Sequence, residues 1–297
     1  MNGNILLVPV IGLIWGLNWP IGKIALDQVP PWAVRTTALV LAGAVLMLAA
    51  VASGRARRVR REHWWRLFAA GGLSLSAYNV LVAFAQLSAS TARVAVLAYT
   101  MPIWATVLAR VFLGEVIDRR KAAGLALGLA GLAALMWPVI AAGRLELGLL
   151  FALGGGLAWA GGTIVFKRYP IDAPGVTIAA WQNLIGVVIV GCGMLMFEGP
   201  PELRGLAGQT YAAITYQGVM SLALATVMWL TVLARIPASV AALGTLMVPA
   251  VGMLGAVVML GERPTITDWT GLALILAASG AVLAPRAGPA RAAEPAE

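Results

Sequence analysis

Pro102, Leu113-Gly114-Glu115 and Gly124-Leu125-Ala126-Leu127 return 147 residues later as Pro249, Leu260-Gly261-Glu262 and Gly271-Leu272-Ala273-Leu274. At an offset of 144, Leu13, Trp15 and Lys23 align with Leu157, Trp159 and Lys167. Matches of Leu and Ala carry little weight in such a composition, so the repeat rests on Pro, Glu, Trp and Lys keeping register. One unit has been used twice.

Each copy is made of apolar spans. Of the 297 residues, 61% are hydrophobic and 11% charged, against roughly 45–50% and about 25% in ordinary globular chains. A soluble core could not bury this much apolar surface, so the solvent is lipid. A membrane helix needs roughly 20 apolar residues to cross a hydrocarbon layer about 30 Å thick. Breakers at that spacing, among them Val29-Pro30-Pro31, Ser53-Gly54, Glu198-Gly199-Pro200-Pro201 and Gly261-Glu262-Arg263-Pro264, delimit ten spans. These are 5–26, 32–51, 67–86, 92–113, 122–138, 147–166, 175–196, 211–233, 239–260 and 269–284. The first run has no Lys or Arg ahead of it and carries Trp15, Asn18, Trp19 and Pro20 where a signal peptide would have a cleavage site, so it reads as a retained helix. The expected organisation is an all-α membrane protein of ten transmembrane helices in two inverted five-helix repeats, 1–144 and 145–284. A disordered cytoplasmic tail over 285–297 follows.

The net charge of +9 is gathered in short loops. Fourteen Lys and Arg, including Arg55, Arg57, Arg58, Arg60, Arg61 and Arg66, fall on one side of the ten crossings. Six, namely Lys23, Arg35, Arg93, Arg144, Arg204 and Arg263, fall on the other, with Arg110 inside a span. Positive loops stay cytoplasmic, so both termini are placed there. The basic loop reads as a topological anchor beside lipid and not as a nucleic-acid site. His63 within it reads as a solvated residue, and Cys192 as a small core residue without a disulfide partner. Because five is odd, the second copy enters from the opposite side, which puts Glu115 inside and Glu262 outside. Inverted repeats suit a carrier whose central site opens alternately to each side; duplication for a stable bundle is the plainer alternative.

The stretch Gly12-Leu13-Ile14-Trp15-Gly16-Leu17-Asn18-Trp19-Pro20, and a Pro in the fourth and ninth helices followed about eleven residues later by Leu-Gly-Glu, carry a resemblance. The chain resembles the drug/metabolite transporter superfamily, specifically its ten-helix EamA-type members, from Ile5 to Ala284. Within it the chain is similar to bacterial exporters of aromatic and other neutral amino acids. The resemblance implies a secondary transporter that exports small neutral or zwitterionic solutes, amino acids including aromatic ones, through the inner membrane by alternating access; a multidrug or other metabolite exporter of the same fold is the alternative. The second copy departs from the pattern, carrying Trp159-Ala160-Gly161-Gly162-Thr163-Ile164 in place of the first-helix motif, so the two halves of a cavity would differ chemically. The expected partners are a small-molecule substrate and membrane lipid, with no cofactor, no metal and no nucleic acid, the chain acting as a monomer or weak homodimer.

Ile11, Trp15, Asn18 and Gly22 share one helical face, with Trp19 beside it. Asn18 at membrane depth either lines a cavity or forms a helix-to-helix hydrogen bond. Tyr78, Asn79 and Gln86, Tyr99, Trp181, Gln182 and Asn183, and Tyr216, Gln217 and Trp229 are further polar or amphipathic groups within spans. They are either packing and interface residues or the outline of a lightly polar, aromatic pocket. The substrate-binding set read from the sequence is Trp15, Asn18, Trp19, Tyr78, Asn79, Tyr99, Trp159, Gln182 and Tyr216. Pro20, Pro102 and Pro249 are candidate kinks, and Gly154-Gly155-Gly156 with Gly161-Gly162 permits bending around Trp159. All twelve carboxylates lie at span ends or in loops. Without a midplane acid or histidine there is no ion relay of the usual kind, which favours downhill export or exchange. The same scarcity leaves no catalytic residue set, so an enzyme is not expected, and no charged ring or carbonyl filter marks a channel.

Overall fold

The structure, a computed structural model, describes residues 7–54, 59–114, 116–141, 147–233 and 247–283. They form ten helical spans and, among the described residues, no strand. Here α1 is Leu7–Leu26, α2 Pro31–Ala52, α3 Arg61–Ser88, α4 Thr91–Leu113 and α5 Arg119–Ala141. The second half supplies α6 Leu147–Arg168, α7 Gly175–Phe197, α8 over 208–233, α9 Met247–Leu260 and α10 Ile266–Leu283. Seven of the ten are long and apolar enough to cross a membrane. The remaining three carry the shorter apolar runs Ala122–Trp137, Val248–Leu260 and Ile266–Ala278. The expected tail 285–297, the arginines at 55, 57 and 58, Glu115, Arg144, the boundary at 144 and the beginning of the ninth span lie outside the described residues.

The repeated Leu-Gly-Glu has a physical reading. Gly114 and Gly261 stand just past α4 and α9 with φ of +69° and +67°. This is the left-handed conformation that stops a helix and that a side chain disfavours. Pro30 and Pro174, 144 residues apart, precede α2 and α7 in the same extended conformation, fixing where each second helix starts.

The packing obeys the repeat. If α1–α5 are exchanged with α6–α10, the contact of α1 with α9 becomes that of α6 with α4. Likewise α3 with α6 becomes α8 with α1, and α2 with α8 becomes α7 with α3; all six contacts are present. The pairs α2–α7, α4–α9 and α5–α10 map onto themselves. The same relation holds for one pair of hydrogen-bonded positions, with the backbone donor and side-chain acceptor exchanged. Ala207 N–H donates to Gln28 Oε1 at 2.9 Å, and at the opposite end of the bundle Asp172 N–H donates to His63 Nδ1 at 3.3 Å. Positions 28 and 172, and 63 and 207, differ by 144. One pair ties the α1–α2 loop to the start of α8, the other the α6–α7 loop to the start of α3, as an inverted two-fold requires.

Helices come close where glycine allows it. A Cβ on Gly16 of α1 would stand 2.4 Å from Val251 Cβ of α9, so that crossing excludes any larger residue. The outward surface is apolar, with Leu48, Val111, Phe112, Val188, Met196 and Val258 among its exposed side chains; it is a surface for lipid, where water would make it a liability.

Four expectations change. His63 is buried, 6% exposed, because the 3₁₀ turn Arg61–His63 tucks its ring beneath the α6–α7 loop. Cys192 is exposed on the lipid side of α7 instead of packed in the core. Arg35 is buried inside α2 and is not a loop charge. Of the three prolines, Pro20 sits inside the continuous α1 and Pro249 near the start of the described part of α9, whereas the span holding Pro102 is interrupted at Tyr99 and Thr100.

Candidate functional site

Four of the expected residues converge. Trp19 is buried in the largest apolar cluster, and Trp15, Tyr78 and Tyr99 pack against the same cluster, so α1, α3 and α4 meet there. Trp19 meets Tyr99 edge-on with ring centroids 6.5 Å apart, a favourable aromatic geometry. Trp15 donates from Nε1 to Ser221 O of α8 at 3.2 Å, and its ring tilts against Trp229 at 5.8 Å. Tyr216 donates its hydroxyl to Ile14 O at 2.9 Å, one turn before Asn18. Asn18 itself is half-buried and its Oδ1 has no partner. Tyr78 lies over Gly155 of α6, where an added Cβ would be 3.7 Å from its ring, and is within electrostatic reach of Tyr99 and Arg35.

The other three stand apart. Asn79 is buried but donates its amide to Leu75 O of its own helix at 2.7 Å. Gln182 packs its stem on Gly71 of α3. Trp159 is partly buried on α6 and lies outside the aromatic cluster.

The backbone is irregular where the cluster forms. α3 carries a π-helical stretch Gly72–Ala77 immediately before Tyr78, and α8 carries one over Tyr216–Leu224. Both begin at the same place in the repeat, 144 residues apart. Such stretches widen a helix and loosen its ladder, and they concentrate at functional positions. In α4, Pro102 has no N–H for the Ala98 carbonyl. The turn at Tyr99 and Thr100 is held instead by Thr100 Oγ1 donating to Leu97 O at 2.7 Å and by Trp104 Nε1 donating to Thr100 Oγ1 at 3.0 Å.

A second, polar group lies beside this cluster: Gln86 and Gln217, named from the sequence but left out of the binding set, meet Arg35, which sequence reasoning had placed among the loop charges. All three are buried, and Arg35 bonds to both glutamines. Arg35 Nη1 donates to Gln217 Oε1, and Nη2 reaches Gln86 Oε1 at 3.5 Å. Gln86 Nε2 donates to Trp19 O, and Lys23 Nζ to Gln86 O, both at 2.8 Å. The available signal was the position of Arg35 four residues after Pro31, already one turn inside an apolar run.

One end of the bundle is fastened across the halves. The Glu198 carboxylate accepts from Trp32 N and Ala33 N at 3.1 and 2.9 Å, and that of Glu262 from Thr91 N and Ala92 N at 2.7 and 2.9 Å. Each thus neutralises the free N–H groups and positive dipole end of a first-half helix. Arg93 adds a two-pronged ion pair to Asp268, at 2.7 and 3.3 Å. The repeat relates Glu198, Arg93 and Asp268 to Gly54, Val240 and Lys121, which cannot form the same bonds at the other end. A recess of about 400 Å³ opens here between Ser88, Arg93, Glu262 and Asp268, and none of the nine expected residues lines it. Among the described residues no three His, Cys, Asp or Glu side chains converge as a metal set would need.

The pattern of the EamA-like transporter family matches residues 3–137 and again residues 146–284. The uncharacterized transporter YvbV of Bacillus subtilis is 25% identical over 91% of this chain and 88% of its own length. A probable terminal-alkyne amino-acid exporter of Streptantibioticus cattleyicolor is 26% identical over 89% of this chain and 87% of its own. A probable amino-acid metabolite efflux pump of Escherichia coli is 25% identical over 91% of both. A crystal structure of a protein aligns over 92% of this chain and 95% of its own with a TM-score of 0.65 at 22% identity, a likeness of fold.

Proposed function

The chain belongs to the EamA-like transporter family, and we propose that it exports small neutral or zwitterionic solutes, aromatic amino acids among them, across the cytoplasmic membrane by alternating access. The observation that carries this reading is the convergence of Trp15, Trp19, Tyr78 and Tyr99 beside the unpartnered Asn18 oxygen. Aromatic faces cover an apolar side chain, and polar groups beside them orient its charged end. The relatives named as a probable terminal-alkyne amino-acid exporter and a probable amino-acid metabolite efflux pump support the direction of transport.

The excess of Lys and Arg on one side supports both termini being cytoplasmic. The end fastened by Glu198, Glu262 and Arg93–Asp268 then faces outward, and in this reading those bonds form the outer gate. Access alternates when these cross-half bonds break and the two halves rock about the shared site.

The test is counterflow of labelled phenylalanine in proteoliposomes. Saturable exchange that unlabelled aromatic amino acids compete away is expected. Absence of exchange for every amino acid tested, with the protein folded, would refute the solute class.

A further inference from the structure

Arg35 is 3% exposed in the second turn of α2, and among the described residues no carboxylate stands within ion-pair distance of it. A cation buried without a counter-ion is costly, and at membrane depth such groups are kept for a task. Its two contacts are neutral amide oxygens, Gln217 Oε1 and Gln86 Oε1, on glutamines each 1% exposed. Donors are left over. Arg35 Nε and Gln217 Nε2 are buried with no partner, and Lys23 Nζ places one N–H on Gln86 O.

At Gly22, one residue before Lys23, α1 opposes no side chain to this group. A Cβ on Gly22 would stand 3.4 Å from Gln86 Oε1 and 3.8 Å from both Arg35 Nη2 and Gln217 Oε1, so the glycine leaves that place free. The amide oxygens occupy positions that a carboxylate would take against the guanidinium fork. Half a turn of the Gln217 amide exchanges its acceptor for its unspent donor. The group also adjoins the aromatic cluster: Gln86 bonds to the Trp19 carbonyl, the Trp19 ring meets Tyr99, and Tyr78 is within electrostatic reach of Arg35. It is present once per chain, because the repeat relates Arg35, Gln86 and Gln217 to Ala179, Leu230 and Leu73.

We propose that Arg35, aided by Gln217 and Lys23, binds the carboxylate of the transported solute, with the solute's aromatic part against Trp19, Tyr78 and Tyr99. The proposal rests on the export reading and adds the recognised group: a carboxylate is required, and an aromatic acid without an amino group is also a ligand.

The experiment compares phenylalanine, phenylalaninamide and 3-phenylpropionate, by counterflow and by thermal stabilisation of the purified full chain, in wild type, Arg35→Gln and Arg35→Lys. The wild type should favour both carboxylates over the amide by about tenfold or more, the worth of a charge-assisted hydrogen bond. Arg35→Gln should bring that ratio toward one, and Arg35→Lys should keep part of it. Equal treatment of acid and amide by the wild type overturns the proposal. So does an undiminished ratio in folded Arg35→Gln; where that variant does not fold, the wild-type ratio and Arg35→Lys decide. Phenylalanine counterflow with a ratio indifferent to residue 35 removes the site and leaves export standing. Stabilisation by both carboxylates that depends on residue 35, without counterflow of any solute, keeps the site and removes export.

Discussion

Asn18 and Tyr216 lie within about one turn of each other across the α1–α8 contact and hold opposite positions. The Tyr216 hydroxyl is spent on the Ile14 carbonyl, whereas the Asn18 oxygen is buried and unspent. Asn18→Leu keeps a similar volume and breaks no bond of that oxygen. It should therefore leave the melting temperature unchanged or slightly raised, while weakening recognition of an aromatic amino acid by roughly 1–3 kcal/mol. Counterflow of phenylalanine against an apolar dye of similar size checks this. Equal loss for both solutes together with a lowered melting temperature would make Asn18 a packing residue. Tyr216→Phe should behave in the opposite way. It removes a bond made in the empty protein and should cost about 0.5–1.5 kcal/mol of stability, read by thermal unfolding.

Among the elements, α10 shows how one residue can fasten an end. Thr265 and Asp268 form a capping box: Asp268 Oδ2 accepts from Thr265 N at 2.8 Å, and Asp268 N donates to Thr265 Oγ1 at 3.3 Å. The same carboxylate holds Arg93 of α4, so the start of α10 and the start of α4 share one anion. Asp268→Asn keeps the shape, loses the charge and leaves Arg93 only partly satisfied. Stability should fall by roughly 1–3 kcal/mol and exchange should quicken, because the fastened end opens more readily. A variant of unchanged melting temperature and exchange rate would show that the ion pair does not govern opening. Position 121, the counterpart of Asp268, already carries Lys, so the fastening has a direction that the duplicated fold alone would not impose.

For the whole molecule, the inverted halves and the distribution of Lys and Arg set orientation. A cysteine placed at Pro264 should label from outside intact cells and one at Ser53 should not; the reverse result would turn the molecule over. Every described carboxylate lies at a span end or in a loop, so counterflow should persist after the proton gradient is collapsed. Loss of all exchange under that treatment, with the protein folded, would give one of those carboxylates a role in coupling.

The ten spans were legible in the sequence because hydropathy and length are local and additive: the drawn ends 92–113 and 175–196 differ from Thr91–Leu113 and Gly175–Phe197 by a single residue at one end. Gly261 marked a helix stop for the same reason, since a left-handed position is a property of one residue, and its repeat mate Gly114 adopts the same conformation. The repeat made the inverted pairing of halves legible too, because an odd number of crossings reverses the second. What the Glu of Leu-Gly-Glu does was not legible. Glu262 meets Thr91 across 171 positions, and no local period states which helix end faces which loop. The same limit hid the burial of Arg35 and His63 and the outward face of Cys192, and it hid which polar residues converge, bringing Tyr78 to Tyr99 while Asn79 turned onto its own backbone. Those outcomes depend on the rotation and partner of each helix. Rotation is decided only when side chains from distant segments pack together and buried polar groups compete for the few donors and acceptors within reach.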